Sequence, residues 1–559
     1  MNCFLIPTSL CRALEQVMAR FWWRNNGTRK GIHWCTWSSL ARPKSCGGLG
    51  FRELSTFNVA LLAKQGWRLI TQPGCFLAKV LKARYYPRND FLSSVLGSNP
   101  SYVWRSIWSA KGLLEQGVGW RIGSGCKVNI WNDSWLPGPG DGRVKRDSIN
   151  INYIHVSDLI HGPSATWRVD VLQALFDEEQ VDTICSIPLS RSRKCDEIIW
   201  RPDRSGIYSV KSGYRLLRDD LPAITGVTGA PFSHMILQFF NDMWSVNLPA
   251  KVKINMWKVA NSFLPTYSAL QNRSLHVNNV CPFCRNSGET VAHIMRDCSF
   301  VTQLFAAQGI CFPSCLLYPN WLDWVAVAFC SLNATNKVVM LVTLWAVWYA
   351  RNKLVHEGTT ANVRVTLSFI SAFIGVNAVV QTPPSARRID DAIGWRAPEP
   401  NVIKFNFDAT YDILSKKSVS GVIGRDHAGL IMASCIVPHL HVADTFVAEA
   451  LACLQAVTFA KELGFRRVVV EGDSLTVIKK VRSLSADGSL ISPIIFDIKD
   501  IVKGFDGIAF KFVHRSSNIV AHTLARVGRG HQVPSYWIEE APPEVTSAAM
   551  VDLERLASS

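Results

Sequence analysis

The stretch IKFNFDAT, residues 403–410, decides the fold of the C-terminal part of this chain. Apolar Ile403, Phe405 and Phe407 alternate with other residues, which is the period-two pattern of a strand with one face in a core. Asp408 directly follows the last of these three residues. The pattern therefore predicts a buried strand that carries a carboxylate near its end.

The residues that follow predict the rest of an α/β domain. Residues 420–425 and 430–434 are apolar runs separated by Asp426-His427-Ala428-Gly429, which indicates two paired strands and a hairpin turn. Residues 445–463 repeat apolar positions every three or four residues, so we expect a helix with Glu449 near its start. Residues 467–474 predict a strand ending at Asp473, and 474–481 a further helix. We interpret Asp426 as a turn residue.

Three acids on three separate predicted elements could converge. Asp408, Glu449 and Asp473 each lie near the end of a strand or the start of a helix, where sites of α/β sheets collect. Clustered carboxylates repel one another and need cations, and Mg²⁺ prefers oxygen ligands of this kind. Spacing alone leaves open that they are three unrelated surface acids. Glu471 alternates with Asp473, and it could be a solvated strand residue.

A Cys/His cluster lies upstream in the chain. Cys281, Cys284, His293 and Cys298 have the spacing C-x2-C-x8-H-x4-C, which can close a tetrahedron around Zn²⁺. Residues 291–298 can form one helix. No further ligand and no open position are evident, so the pattern predicts a structural zinc site. The alternative is three buried free cysteines and an unrelated histidine.

The charge distribution indicates a polyanionic partner. The chain of 559 residues carries 60 Lys and Arg against 43 Asp and Glu, and residues 1–140 hold 18 basic against 5 acidic residues. Such a basic block suggests nucleic acid, although a soluble basic surface without a specific ligand would have the same composition. The 48% hydrophobic content excludes a wholly disordered chain.

Location and membrane contact are predicted from the cysteines and the apolar runs. The 16 Cys are mostly scattered, and no signal peptide is evident at Met1, so we expect reduced thiols inside the cell, in the nucleus or the cytoplasm. The best candidate for a membrane span, residues 338–350, is too short and meets Arg351. It predicts a buried helix, and no membrane partner is expected.

The domain organisation follows from these patterns. We expect a multidomain chain in which a helical N-terminal remnant and a small zinc-binding module precede an α/β domain with a mixed sheet flanked by helices. Residues 381–388 are polar, basic and contain two prolines, which is typical of a linker. The expected divisions are 1–140, a spacer at 141–206, the zinc module at 207–300, a helical segment and linker at 301–394, the α/β domain at 395–530, and a tail at 531–559.

These motifs resemble those of a known family. Residues 403–526 are similar to the ribonuclease H domain of plant proteins derived from non-LTR (LINE-type) retrotransposons, on the motifs FNFDA (405–409), AEA (448–450), EGDS (471–474) and RSSNIVAHTLA (515–525). The Cys/His cluster, with residues 208–214 before it, resembles the zinc-binding domain associated with reverse transcriptase. Residues 20–137 resemble the tail and connection of that enzyme, on FWW (21–23), PK (43–44), GGLG (47–50) and residues 130–137.

The resemblance implies an activity and a set of site residues. It implies hydrolysis of the RNA strand in an RNA–DNA hybrid, with Mg²⁺ or Mn²⁺ held by Asp408, Glu449 and Asp473. The fourth acid of the family site falls at His522, either a neighbour of the metals or a proton carrier, and Ala409 replaces the usual glycine. The substrate-binding residues that the resemblance implies are Asn406, Ser474, Arg515 and Asn518, of which the last two are either contacts or local braces.

Two functions remain as hypotheses from the sequence. The first is a metal-dependent ribonuclease H, favoured by the presence of Asp408, Glu449 and Asp473. The second is a retrotransposon relic that binds nucleic acid with weak or no catalysis, favoured by His522. A polymerase palm with its paired aspartates is not evident, so we expect no DNA synthesis. The sequence gives no indication of the oligomeric state.

Overall fold

The chain folds into two compact units, each built from separate segments. The computed structural model describes residues 1–24, 31–138, 140–145, 150–162, 164–192, 194–219, 234–381, 394–485 and 487–557. The first unit comprises Met1–Leu5, Val59–Asp219 and Asp390–Ser559, and the second comprises Ile6–Asn58 and Asp220–Ile389. These units cross several of the expected boundaries, and apart from the spacer and the tail the expected division stays a prediction. The expected linker lies outside the described residues, apart from Gln381.

The second unit is helical in its described part. Its longest helix, Ala334–Glu357, begins at Asn333, whose Oδ1 accepts a hydrogen bond from the amide of Asn336 at 2.8 Å, and ends at Gly358 with φ 66°. Its other helices are Thr8–Trp22, Trp37–Ala41, His234–Ser245, Ala250–Ala260, Tyr267–Gln271, Ser299–Ala307, Trp321–Cys330 and Val363–Gln381, with a π-helical turn at His293–Asp297 and 3-10 turns at Lys44–Cys46 and Cys315–Leu317. One apolar core joins most of these helices.

The helix Ala334–Glu357 is also long and apolar enough to cross a membrane. Its mean hydropathy reaches 1.2 over the most apolar 18 residues, and 44% of that window is buried within the protein. Core helices of soluble proteins have the same length and composition, so this feature carries little weight alone. The expected absence of a membrane partner stays a prediction.

The N-terminal part of the first unit is helical, and an accessory lobe follows it. The helices are Leu54–Thr71, which begins in the second unit, Phe76–Tyr85, Tyr102–Trp108 and Lys111–Gly117. The accessory lobe (residues 118–206) pairs strand Val118–Arg121 with Glu197–Trp200, both antiparallel. It also holds strands Ile160–His161 and Thr166–Trp167, the 3-10 turn Val156–Leu159, and helices Val169–Leu175 and Glu178–Cys185, and helix Val210–Asp219 follows it.

The accessory lobe corrects one sequence-based expectation. Residues 141–206 were predicted as a spacer, but their described part packs into a buried apolar cluster around Val156, Leu159, Leu172 and Ile184. Apolar side chains from residues 122–136 complete this cluster. The spacer prediction was wrong because these helices have only seven or eight residues, too short for a clear periodic signal.

The C-terminal domain (residues 394–557) is an α/β fold, as predicted. Its strands are β1 (Ile403–Asp412), β2 (Lys417–Arg425), β3 (Ile431–His439), β4 (Arg467–Gly472), β5 (Gly507–Phe512) and β6 (Ser535–Ile538). Its helices are α1 (Thr445–Glu462), α2 (Leu475–Arg482), α3 (Ser492–Val502), α4 (Ile519–Val527) and α5 (Pro543–Ala557), with 3-10 turns at Arg515–Ser517 and Gly528–Gly530.

The sheet is mixed, and β1 lies inside it. The strand order is β6-β3-β2-β1-β4-β5, in which β1, β2, β3 and β6 pair antiparallel and β1, β4 and β5 pair parallel. Asp408 lies opposite Gly421 of β2, and Asn406 lies opposite Glu471 of β4. Since parallel strands end at the same edge, the end of β4 brings Asp473 towards the middle of β1.

The side chains of β1 and β2 point alternately into two cores on opposite faces of the sheet. Phe405, Phe407 and Val422 lie in the core that α1, α2 and α3 cover. Val419 and Ile423 lie in a smaller core with α4 and α5. The period-two pattern of residues 403–410 therefore corresponds to the two faces of the sheet. The polar residues that alternate with the phenylalanines are on the face that packs against the smaller core.

One glycine lets α4 lie close to the sheet. A Cβ atom at Gly421 would lie 2.4 Å from the backbone nitrogen of Ala525 in α4. Any larger residue would push this helix away. Gly421 is the partner of Asp408, so the close contact places α4 next to the strand position that carries the carboxylate.

The expected tail is part of this domain. Residues 531–559 were predicted to lie outside it, but β6 pairs with β3, and α5 contributes Val545 and Ala549 to the smaller core. The sequence separates β6 from β3 by about a hundred residues, so no local pattern indicated that they pair. The fold class predicted from the sequence is otherwise confirmed.

The accessory lobe contacts the C-terminal domain within the first unit. The buried carboxylate of Asp497 in α3 accepts hydrogen bonds from Ser190 Oγ at 2.7 Å and from the amides of Arg191 and Ser192 at 2.9 and 3.2 Å. Arg121 donates to the carbonyl of Asp487 at 2.9 Å. The lobe and the C-terminal domain therefore share a polar interface across more than 300 residues of sequence.

Candidate functional site

The three predicted acids meet in space. One carboxylate oxygen each from Asp408, Glu449 and Asp473, the acid cluster, lie within 4.8 Å of one another. Asp408 comes from the middle of β1, and Asp473 comes from the residue after β4. Glu449 lies in the first turns of α1, whose start is fixed by Asp444 Oδ1 accepting from the Val447 amide at 2.9 Å.

The acid cluster is electrostatically strained without a cation. Burial, followed by the charges of Asp408 and Asp473, raises the pKa of Glu449 to about 9. Burial and the charge of Asp473 also raise the pKa of Asp408, against the hydrogen bond from His522, which lowers it. Glu449 Oε2 is buried and has no hydrogen-bond partner. Three hard oxygen donors, one of them unpaired, fit a divalent cation such as Mg²⁺.

His522 belongs to the same site. Its Nδ1 lies 2.5 Å from Asp408 Oδ2, and its Nε2 lies 3.0 Å from Nη2 of Arg515. Because a guanidinium can only donate, Nε2 accepts, and Nδ1–H donates to Asp408. His522 is thus held as one tautomer and fixes one oxygen of Asp408. It occupies the position that the resemblance assigned to a fourth acid.

Two of the predicted substrate-binding residues are braces. Asn406 is 0% exposed and Asn518 is 1% exposed, so neither can contact a substrate. Asn518 Nδ2 donates to the carbonyl of Phe407 at 2.9 Å, and Asn406 Nδ2 lies 3.3 Å from Asn518 Oδ1. The prediction for Asn406 was therefore wrong, because its position on β1 faces the smaller core. Asn518 follows the alternative of a local brace.

The other two predicted contacts lie at the surface. Arg515 is exposed, and its guanidinium supports His522. Ser474 is half-buried at the start of α2 and makes no side-chain capping bond. Both remain accessible, so a role in substrate binding stays a prediction for each. Asp426 is a turn residue, as interpreted from the sequence, because its Oδ1 accepts from the amides of Ala428 and Leu430.

A buried polar network behind the acid cluster was missed from the sequence. Glu471 is buried and its Oε1 pairs with Lys404 Nζ at 2.8 Å, so it is not the solvated strand residue that the sequence left possible. Arg425 of β2 pairs with Asp552 of α5 at 2.9 Å. The available signal was the run of polar residues at alternate positions of β1, from Lys404 onwards, which indicates a second buried face with polar contents.

The four residues of the Cys/His cluster also meet. Their ligand atoms lie within 4.8 Å of one another, with 3.8 Å between Cys281 Sγ and Cys298 Sγ and 3.3 Å between Cys284 Sγ and His293 Nε2. A tetrahedral Zn²⁺ with Zn–S bonds of about 2.3 Å would place two sulfurs about 3.8 Å apart. Four ligands close the tetrahedron, so the geometry fits a structural ion.

The local backbone prepares this cluster. The Cys298 thiol, and then the amides of Cys284 and Phe283, stabilise the Cys281 thiolate and lower its pKa. Residues 291–298 were expected to form one helix. Instead, the π-helical turn ends at Asp297, and Cys298 is extended before helix Ser299–Ala307 begins. This break turns Cys298 back towards Cys281.

A buried ion pair supports the Cys/His cluster. Glu289 is 0% exposed, and its two oxygens each lie 2.7 Å from Arg351 of helix Ala334–Glu357. Glu289 Oε2 also accepts from the amide of Tyr267 at 2.6 Å. The loop between the second and third ligands is therefore fixed to the longest helix of the second unit.

Comparison with known proteins agrees with both sites. Residues 406–528 match the family described as "Reverse transcriptase-like", and residues 208–305 match "zinc-binding in reverse transcriptase". The fold and the acid cluster define a ribonuclease H-like domain. The chain belongs to the family of plant retrotransposon-derived proteins that join this domain to a reverse-transcriptase zinc-binding domain.

The chain is also similar to individual plant proteins and to a solved structure. An Arabidopsis thaliana protein named "Putative ribonuclease H protein" is 25% identical over 94% of this chain and 85% of its own length. An "Uncharacterized mitochondrial protein" of the same plant is 41% identical over 24% of this chain and 89% of its own length. The crystal structure of RNase H1 from Halobacterium salinarum is 23% identical over 23% of this chain and 96% of its own, with a TM-score of 0.21.

Proposed function

We propose that the protein binds nucleic acid and hydrolyses the RNA strand of RNA–DNA hybrids in a metal-dependent reaction. The observation that carries this proposal is the convergence of Asp408, Glu449 and Asp473 within 4.8 Å. The match to the reverse transcriptase-like family and the name of the long Arabidopsis relative support it. RNA would be distinguished from DNA by its 2′-hydroxyl group.

The acid cluster would hold the cations of this reaction. Asp408, Glu449 and Asp473 offer hard oxygen donors suited to Mg²⁺ or Mn²⁺, and the unpaired Oε2 of Glu449 provides a free ligand. When bound, such ions activate a water molecule and stabilise the leaving oxygen of a phosphodiester.

The surrounding residues prepare these carboxylates. His522 Nδ1–H holds Oδ2 of Asp408 and leaves its second oxygen for a cation. Arg515 keeps the imidazole in the tautomer that can donate this hydrogen bond. The loss of its proton by Glu449, whose pKa is raised by burial, accompanies cation binding at this site.

We also propose a structural Zn²⁺ at Cys281, Cys284, His293 and Cys298. The Sγ–Sγ distance and the closed set of four ligands support this ion. Zinc thiolates require reduced sulfur, and the described cysteines form no disulfide, so we propose a reducing compartment, nucleus or cytoplasm, as the location.

A second candidate function is nucleic-acid binding without hydrolysis. The observation that favours it is His522, because a neutral imidazole supplies no negative charge and occupies Asp408 Oδ2. The basic N-terminal residues would supply phosphate contacts in this case, and binding would weaken steeply with salt.

Cleavage of a labelled RNA–DNA hybrid in Mg²⁺ and in Mn²⁺ tests the proposal. Asp408→Asn should lower cleavage by at least about 1,000-fold, because the amide keeps the shape but loses the charge that holds the cations. Asp426→Asn is the matched control, since an asparagine serves the hairpin turn equally well and activity should not change.

The variant His522→Asp separates the two candidate functions. It restores an oxygen ligand beside Asp408, so we expect activity to be preserved or raised, most clearly in Mg²⁺. Equal cleavage by the wild type and Asp408→Asn would show a contaminating nuclease or a different site. No cleavage by the wild type or His522→Asp in either metal would favour the binding function.

A further inference from the structure

The last helix of the chain carries a buried acid that pairs with the sheet. Asp552 of α5 and Arg425, the last residue of β2, form an ion pair of 2.9 Å between Oδ2 and Nη1. The side chains are 8% and 1% exposed. Removing one partner would leave the other charge buried and unpaired, which is strongly unfavourable. The pair therefore fixes α5 to β2.

Arg425 continues this connection to β1. Its guanidinium carbon lies 3.8 Å from the ring centre of Trp395, which is buried. The indole Nε1–H of Trp395 donates to Asn406 Oδ1 at 2.9 Å. Arg425 Nη2 lies 3.5 Å from the same oxygen. The ion pair and the indole together hold the amide of Asn406 in one orientation.

Asn406 passes this orientation to the acid cluster. Its Nδ2 donates to Asn518 Oδ1 at 3.3 Å, and Asn518 Nδ2 donates to the carbonyl of Phe407 at 2.9 Å. Phe407 immediately precedes Asp408. The carbonyl of Asn518 also accepts from the amide of His522 at 3.0 Å. Asn518 thus holds both the strand before Asp408 and the start of the helix that carries His522.

We propose that the network from Asp552 of α5 through Arg425 to Trp395 and Asn406 positions the acid cluster. Asp552 and Trp395 act as positioning residues through Arg425, Asn406 and Asn518, which set where Asp408 and His522 stand. The functional domain therefore extends from Trp395 to α5, beyond the matched residues 406–528 at both ends. The cleavage arm of the test rests on the proposed hydrolysis, whereas the metal-binding arm does not.

Trp395→Phe is the decisive variant. Phenylalanine keeps an aromatic ring over Arg425 but cannot donate to Asn406 Oδ1, so the fold is retained while the orientation of Asn406 is released. Asp552→Asn interrupts the network of side-chain contacts at its other end, because it removes the charge that pairs with Arg425. Asp552→Glu keeps that charge and should therefore retain part of the function. Glu544→Gln, an exposed acid in the first turn of α5, is the matched control.

The first readout is the affinity of the whole 559-residue chain for Mn²⁺, which is measured by electron paramagnetic resonance. The fraction of binding lost in Asp408→Asn defines the acid cluster. We expect Trp395→Phe to weaken that binding about ten-fold, in the range found for residues that orient metal ligands. Glu544→Gln should bind as the wild type does.

Hybrid cleavage gives the second readout. Positioning predicts that kcat falls about ten-fold in Trp395→Phe while KM for the hybrid is unchanged, because the substrate surface is intact. If Trp395→Phe binds Mn²⁺ and cleaves as the wild type does, with only a lower melting temperature, the network is purely structural and the proposal is overturned. Mn²⁺ binding unaffected by Asp408→Asn would also overturn it.

The two proposals can fail separately. If the wild type cleaves no hybrid but Trp395→Phe still weakens Mn²⁺ binding at the acid cluster, the positioning role stands and the hydrolysis does not. Should Asp552→Asn fail to fold, Trp395→Phe alone decides, since it buries no unpaired charge.

Discussion

The Cys/His cluster and the acid cluster differ in how far apart their ligands lie in the sequence. The first takes all four ligands from residues 281–298, whereas the second takes three from residues 408–473 and its supporting network from Trp395 to Asp552. Local spacing is enough to recognise a site of the first kind. A site of the second kind forms only when the sheet has assembled. The positions of its carboxylates therefore depend on residues that lie outside any recognisable sequence motif.

Both clusters are nevertheless supported by a buried ion pair between an arginine and a carboxylate. Arg351 pairs with Glu289 beside the Cys/His cluster, and Arg425 pairs with Asp552 behind the acid cluster. In each case a buried guanidinium joins segments more than 60 residues apart. The comparison predicts that the first region depends most on its ion and the second on its long-range contacts.

Loss of the ion should have the largest effect, and only in the first region. Cys281→Ser should unfold the segment around the Cys/His cluster, because structural zinc contributes on the order of 10 kcal/mol to such modules. Hydrogen exchange should lose protection at residues 281–298 and keep it in β1. Cys311→Ser, an exposed cysteine outside the cluster, is the control. Unchanged protection in Cys281→Ser would contradict the prediction that this region depends on its ion.

Breaking the ion pair beside the cluster should have the next largest effect. Glu289→Gln leaves the guanidinium of Arg351 buried without a carboxylate, which costs about 3–5 kcal/mol. Chemical denaturation of the zinc-loaded protein measures this loss. Glu357→Gln, an exposed acid on the helix of Arg351, should change stability little. A loss below about 1 kcal/mol would show that the ion alone holds the loop.

Acid should destabilise the C-terminal domain through one half-buried histidine, His439. Burial lowers the pKa of His439 to about 4, and its Nε2 lies 2.8 Å from Ser420 Oγ. Below pH 6.5 His439 binds a proton in the unfolded chain, whereas in the folded chain it stays neutral down to about pH 4. Stability is therefore complete above pH 6.5 and falls by about 3 kcal/mol towards pH 4.

The variant His439→Gln separates this effect from acid release of zinc. Glutamine can still hydrogen-bond to Ser420, but it does not titrate. The melting temperature of the C-terminal domain should therefore depend less on pH between pH 6.5 and 4 in this variant than in the wild type. His427→Gln, at an exposed position in the turn between β2 and β3, is the control. Identical profiles for His439→Gln and the wild type would contradict the prediction.

The smallest effect should come from the interface with the accessory lobe. Asp497→Ala leaves three donors of residues 190–192 without their acceptor, and we expect a loss of about 2 kcal/mol. Asp500→Ala on the same helix is the comparison variant, because it removes only an exposed pair with Lys503 and one long contact of 3.4 Å from Ser192, and it should change stability much less. Equal losses would show that the interface contributes no more than a surface contact.

Local patterns in the sequence predicted those parts of the fold that local physics determines. The alternation of residues 403–410, the hairpin at Asp426 and the helix of Glu449 all appear in the structure close to where the patterns placed them. The acids were recognised because charged residues at strand ends are conspicuous in an apolar chain. Spacing alone left their convergence open, and the resemblance to the ribonuclease H domain implied it.

The remaining features depend on contacts that no short window contains. Asn406 was predicted as a substrate contact, but it faces a core that is completed by α5, more than a hundred residues later. The accessory lobe was predicted as a spacer because its short helices lack periodicity. The sequence left open that Glu471 is solvated, because its partner Lys404 lies on a different strand. Pairing between distant segments decided the outcomes for Asn406 and Glu471, and the shortness of its helices decided the outcome for the accessory lobe.

The interleaving of the two units has a consequence for synthesis on the ribosome. Ser190 emerges 307 residues before Asp497, the acid that it binds. At about 5–20 residues per second, the accessory lobe waits about 15–60 s for its partner surface. The segment Asp220–Ile389 of the second unit emerges entirely within this interval. Throughout this interval the segment of Ser190 lacks its acceptor and is exposed to chaperones and proteases.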